Sequence, residues 1–194
     1  MLNIFKSLIG FLLSNKNTLV IFPGFGMHPK NYNEILPKNT NKIYLNIWTS
    51  EELELIKTSN ITGPNTPNYN KWFSNLIIKT MHQLDLKKIK YENTNFIYFG
   101  HSIGAEIANH LKKYSDGLIV YGYGQKISNE NNIKMLQMIG TLDAYSTSFM
   151  EKWYEQMIPI LNGDHFSCSN IEGKTRSLMW RNELGIPAIH EYLK

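Results

Sequence analysis

The sequence predicts one α/β domain: a mostly parallel central sheet of about six or seven strands with helices on both faces. Three observations predict it. Short apolar runs alternate with stretches of helical spacing along the chain. One such run, Phe96-Ile97-Tyr98-Phe99, leads through Gly100-His101-Ser102-Ile103-Gly104 straight into a helix-like segment. The apolar runs are all too short to span a membrane, which needs about 18 consecutive apolar residues.

The elements follow in order. In residues 1–14, Leu2, Phe5, Leu8, Ile9 and Leu12 fall at helical spacing and predict an amphipathic first helix packed on the sheet. A weak membrane-surface contact through residues 2–13 is the alternative role for that face. One lysine and no small-residue cleavage site make it a poor secretory signal. Strands are expected at 18–22, 43–47, 95–99, 117–121, 135–139 and 158–161, and Pro159 confines the last to an edge. Helices are expected at 71–86 with Asn70 as cap, at 103–114, at 148–157 and at 186–193. Pro187 suits the first turn of the last of these.

Residues 48–70 read as a substrate-side loop. They contain Thr62-Gly63-Pro64-Asn65-Thr66-Pro67-Asn68 and follow the second strand, at the end of the sheet where ligands bind. The fourth and fifth strands are too close in sequence to admit a large cap domain between them.

Composition narrows the chemistry. With 42% hydrophobic and 12% aromatic residues, the 194-residue chain can build a proper core as a single domain. The net charge of +4 comes from scattered lysines with few arginines, so no nucleic-acid partner is expected. The single Cys168 rules out an intramolecular disulfide and suits a reducing, cytoplasmic setting. No His, Cys and carboxylate cluster has metal-ligand spacing. Gly24-Phe25-Gly26 meets Pro29, and Gly122-Tyr123-Gly124 meets Ile127, where a dinucleotide loop requires glycine. No metal and no cofactor are therefore expected.

Ser102 is the candidate nucleophile. A serine on a tight strand-to-helix turn stands clear of the sheet, and its neighbours two residues away must lack side chains. It then requires a base, an orienting acid and an oxyanion hole. Asp143 follows the fifth strand and His165 the sixth, so both fall at the same sheet edge as Ser102. His165 is expected to take the proton from Ser102, and Asp143 to hold the imidazole in the right tautomer. The backbone N–H groups of Ile103 and Phe25 are the expected oxyanion donors. Asp164 is a rival orienter, though adjacent side chains rarely align for that bond. His101 is expected to pack under the turn, and His190 to lie on the terminal helix.

Phe22-Pro23-Gly24-Phe25-Gly26, Gly100-His101-Ser102-Ile103-Gly104, Gly140 to Asp143 and Gly163-Asp164-His165-Phe166 together resemble an α/β-hydrolase, in the expected order. The resemblance spans residues 19–166 and implies an eight-stranded fold trimmed to a compact form without a lid. It also implies serine-hydrolase activity of the carboxylesterase, lipase or thioesterase kind. Pro23 departs from the pattern, standing where many members carry His before the glycine. Trp48, Tyr69, Trp72 and Tyr123 are the expected substrate-binding wall, suited to a small acyl ester or thioester. A non-catalytic hydrolase-like binding protein and a membrane-associated lipid hydrolase are the alternatives.

Overall fold

Side-chain alternation along the strands determines the layering. In a strand, successive residues point to opposite faces, so a strand covered on both sides is apolar throughout. Strand β4 (Gly117–Tyr121) is such a case, with all five residues buried. Leu118 and Val120 join one core, and Ile119 and Tyr121 join the other. Strand β1 (Lys16–Phe22) divides in the same way, with Val20 and Phe22 on the first face and Leu19 and Ile21 on the second.

The computed structural model describes residues 16–33, 36–91, 94–128, 132–144, 157–160, 163–168 and 185–193. The remaining strands are β2 (Asn41–Tyr44), β3 (Thr94–His101), β5 (Lys134–Gly140) and β6 (Met157–Ile160). The helices are α1 (Ser50–Thr58), α2 (Tyr69–Lys88), α3 (Ile103–Leu111) and α4 (Gly185–Tyr192). The six strands form one sheet in the order β2-β1-β3-β4-β5-β6, and every neighbouring pair is parallel. Helices α1, α2 and α3 supply Ile56, Trp72, Leu76, Ala105, Ile107 and Leu111 to the first core. Helix α4 supplies Ile189 and Tyr192 to the second, where the Tyr192 hydroxyl accepts from the Leu118 N–H at 3.0 Å.

The expected helices at 1–14 and 148–157 lie outside the described residues, save for Met157, which is the first residue of β6 instead. Within the described residues, four details differ from expectation; in one of them the helix expected over 103–114 ends at Leu111, and Lys112–Tyr114 form a 3-10 turn. Strand β2 ends at Tyr44, because after one long bond from the Leu45 N–H to Ile21 O (3.4 Å) the chain leaves the sheet. Leu45 and Ile47 remain buried without being strand, so their apolar character marks core rather than pairing. The 48–70 segment is not all loop, since α1 occupies part of it. Thr49 caps α1 by accepting from the Glu52 N–H at 3.2 Å, and Glu51 and Glu52 complement the helix dipole in its first turn. Helix α2 begins one residue before Asn70; Asn68 holds the cap position and makes no side-chain cap bond.

The strand order reverses between β1 and β3, since β2 lies on one side of β1 and every later strand on the other. Loops leaving the carboxyl ends of two strands diverge at such a switch point and open a crevice there. The loop after β1 and the turn after β3 both border it. Among the described residues, no helix is long and apolar enough to cross a membrane.

Candidate active site

Ser102 alone makes the turn from β3 to α3. Its backbone sits at φ 55° and ψ −126°, a conformation that costs an L-residue about 1–3 kcal/mol. Hydrogen bonds hold it there from both sides. Its N–H donates to Tyr121 O at 3.0 Å, and its carbonyl accepts from the N–H groups of Ala105 (2.9 Å) and Glu106 (3.3 Å). The flanking glycines are steric necessities. A Cβ on Gly100 would lie 2.5 Å from the Ala105 Cα, and one on Gly104 would overlap the Phe22 carbonyl oxygen.

Asp143, His165 and Ser102 form one hydrogen-bonded line. His165 Nδ1 lies 3.0 and 2.9 Å from the two Asp143 carboxylate oxygens, and its Nε2 lies 2.9 Å from Ser102 Oγ. A carboxylate only accepts, so Nδ1 carries the hydrogen. In the neutral ring, Nε2 is then an acceptor and the Ser102 hydroxyl donates to it. Asp143 is fully buried, and the His165 side chain is 11% exposed. Asp164 plays no part in this line. Its Oδ1 accepts from the Phe166 N–H (3.0 Å) and the Ser167 hydroxyl (3.1 Å), closing the turn that presents His165.

Beneath this line lies a second, fully buried one. His101 Nε2 is 2.6 Å from the His165 carbonyl oxygen, and His101 Nδ1 is 2.8 Å from Tyr32 Oη. The Gly24 N–H donates to the same Tyr32 oxygen at 3.0 Å. Burial, reinforced by the nearby His165, holds His101 down to a pKa of about 3, so the ring is neutral. His101 thus packs under the turn, and with Tyr32 it ties the loop after β1 to the loop carrying His165.

Gly24 to Met27 form a tight turn, closed by the Met27 N–H to Gly24 O at 3.0 Å, with Gly26 at φ +66°. The Phe25 ring is 55% exposed and meets Trp48 edge-on at 5.1 Å. The N–H groups of Phe25 and Ile103 have no acceptor among the described residues. Ile103 is the first residue of α3, where helical N–H groups are left without intrahelical partners.

Two cavities flank Ser102, and His165 lines both. One, of about 250 Å³, is bordered by Pro64, Tyr69, Glu106, Tyr123 and Gln125. The other, of about 290 Å³, is bordered by Gly24, Phe25, Met27, His101 and Phe166. Of the four expected wall residues, Tyr69 and Tyr123 reach the first cavity. Trp48 and Trp72 line neither. Each buries its ring in the core and satisfies its indole N–H internally, Trp48 on Pro23 O (3.2 Å) and Trp72 on Glu52 Oε1 (2.6 Å). Sequence reasoning missed Tyr32, Glu106 and Gln125. Glu106 was findable, standing four residues after Ser102 on a helix. Tyr32 carried no local signal. Among the described residues, no group of three or more His, Cys, Asp or Glu side chains could hold a metal ion.

No family model matches the sequence, and no curated protein does. Solved structures do match. TT1662 from Thermus thermophilus superposes with a TM-score of 0.55 at 11% identity, over 93% of this chain and 90% of its own. An α/β serine hydrolase homologue from Coxiella burnetii superposes with a TM-score of 0.51 at 13% identity, over 87% of this chain and 85% of its own. At these identities the likeness is one of architecture, and with the six-stranded parallel sheet it establishes that the chain has an α/β-hydrolase-type fold.

Proposed function

We propose that the protein is a serine hydrolase that cleaves a small carboxylic ester or thioester through Ser102, His165 and Asp143. The observation that carries this reading is the unbroken line from the buried Asp143 carboxylate through His165 to the Ser102 hydroxyl. The backbone strain at Ser102 supports it, since a turn that only binds has no need of a strained serine.

Ser102 Oγ attacks the acyl carbonyl carbon as its proton passes to His165 Nε2. Asp143 stabilises the imidazolium that results. The new oxyanion takes the N–H groups of Phe25 and Ile103, which stand at the turn and at the start of a helix. Collapse breaks the bond to the leaving oxygen or sulfur, and His165 gives that group its proton. Water then loses a proton to His165 and attacks the acyl-enzyme, releasing the carboxylic acid and restoring Ser102.

The test is labelling with a fluorophosphonate probe, alongside hydrolysis of p-nitrophenyl esters of increasing acyl length. Labelling is expected in the wild type and lost in Ser102→Ala and His165→Ala. A folded wild type that neither takes the label nor hydrolyses any ester overturns the reading.

A further inference from the structure

We infer that the 250 Å³ cavity beside Ser102 is a subsite for a positively charged alkylammonium group, held by the Glu106 carboxylate with the rings of Tyr69 and Tyr123. The inference rests on the serine-hydrolase reading only in making that group part of the substrate.

Position comes first. Glu106 is one helical turn beyond Ser102, and its N–H bonds to the Ser102 carbonyl at 3.3 Å. Ser102 is the non-helical cap of α3, so what joins the two residues is the cavity that both of them line. A group bound at Glu106 is thus a few bonds from a carbonyl at Ser102 Oγ.

The charge pattern selects the ligand. Glu106 is half-buried and, among the described residues, is the one carboxylate lining this cavity, with no Lys or Arg beside it. Burial pushes its pKa up, against the smaller opposing effects of the Tyr69 hydrogen bond and of His110. That hydrogen bond, from Tyr69 Oη to Oε2, is long at 3.3 Å. Oε1 accepts no hydrogen bond among the described residues, and His110, one turn further on, is exposed and packs against Phe73. A wholly apolar acyl chain would cover this carboxylate with only the long Tyr69 bond to compensate its charge, which is costly. An anionic chain would be repelled. A cation pairs with it, and tyrosine rings attract a desolvated cation through their faces. Among the other lining residues, Gly63, Pro64 and Ile103 suit the alkyl part.

The experiment measures binding, so it does not depend on turnover. Choline and its neutral isostere 3,3-dimethylbutan-1-ol are titrated calorimetrically into the full chain as wild type, Ser102→Ala, Glu106→Gln and Glu106→Asp. Choline is expected to bind wild type and Ser102→Ala about tenfold more tightly than the isostere. Glu106→Gln, which keeps an acceptor for Tyr69, is expected to erase that preference, and Glu106→Asp to retain most of it. Equal binding of the two ligands by the wild type, or a preference that survives in Glu106→Gln, overturns the subsite. A choline preference in a protein that no fluorophosphonate labels leaves the subsite standing and removes the serine reading. Ester hydrolysis without the preference does the reverse.

Discussion

Tyr32 Oη and His101 Nδ1 lie 2.8 Å apart in the buried floor of the candidate site, although 69 residues separate them in sequence. The carbonyl partner of His101 determines its tautomer. The His165 carbonyl can only accept, so His101 Nε2 carries the ring's hydrogen. His101 Nδ1 is then an acceptor; the Tyr32 hydroxyl reaches it at 2.8 Å and Met27 Sδ at 3.1 Å, and the Tyr32 oxygen accepts from the Gly24 N–H. Protonating His101 would bury a charge and turn the Tyr32 hydroxyl hydrogen away from Nδ1, toward Met27 Sδ.

This relationship gives the fold a pH dependence. His101 has a pKa of about 3 when folded, against 6.5 for the unperturbed side chain. Between those values the unfolded chain binds the proton and the folded chain does not, so stability falls as pH drops from 6.5 toward 3. Urea unfolding at about pH 7.5 and about pH 5 should show a lower midpoint at the acidic value. The His101→Gln protein should show a flatter dependence, and an unchanged slope in that variant would count against His101 as the source. Tyr32→Phe, which orphans both the Gly24 N–H and His101 Nδ1, should cost about 1–3 kcal/mol near neutral pH.

Strain at Ser102 makes a second prediction. Glycine adopts φ 55°, ψ −126° freely, whereas alanine does not. Ser102→Gly should therefore be more stable than Ser102→Ala by about 1 kcal/mol, while both lose fluorophosphonate labelling. Chemical denaturation of the two variants measures the difference. Alanine equal to or above glycine would mean that the turn holds no strain.

Asp143→Asn tests the line from the other end. An amide in place of the carboxylate lets His165 turn to the tautomer with hydrogen on Nε2, which cannot take the serine proton. The rate on the best p-nitrophenyl ester should fall by roughly four orders of magnitude. Steady-state kinetics checks this, and Asp164→Asn, whose partners are the Phe166 N–H and the Ser167 hydroxyl, serves as the contrast with a much smaller loss.

Trp72→Phe separates core from pocket. The variant removes the indole donor that Glu52 Oε1 receives at 2.6 Å and leaves Glu52 to its ion pair with Lys79 at 2.8 Å. A loss of about 1–3 kcal/mol is expected in thermal or urea unfolding, with the KM for a p-nitrophenyl ester unchanged. A raised KM with stability unchanged would return Trp72 to the substrate wall.

The parts of this protein legible in its sequence are those that local chemistry dictates. Strands β1, β3, β4 and β5 are marked by apolar runs because both of their faces are covered. The Ser102 turn is marked by Gly100 and Gly104 because any side chain there would strike backbone a few residues away or on the adjoining strand. What only the tertiary structure decided depends on partners distant in the chain. Asp143, not the adjacent Asp164, faces His165 because the sheet brings the ends of β5 and β6 together. Trp48 and Trp72 turn inward because Pro23 O and Glu52 wait there for an indole N–H. Helix α1 was hidden by the turn residues 62–68 that follow it, and its start is visible only once the Thr49 cap is seen. Tyr32 acquires its place from the crevice between β1 and β3, where loops far apart in sequence meet at one end of the sheet; Glu106 follows Ser102 by one helical turn, and only the tertiary structure brings Tyr69 and Tyr123 to the same cavity.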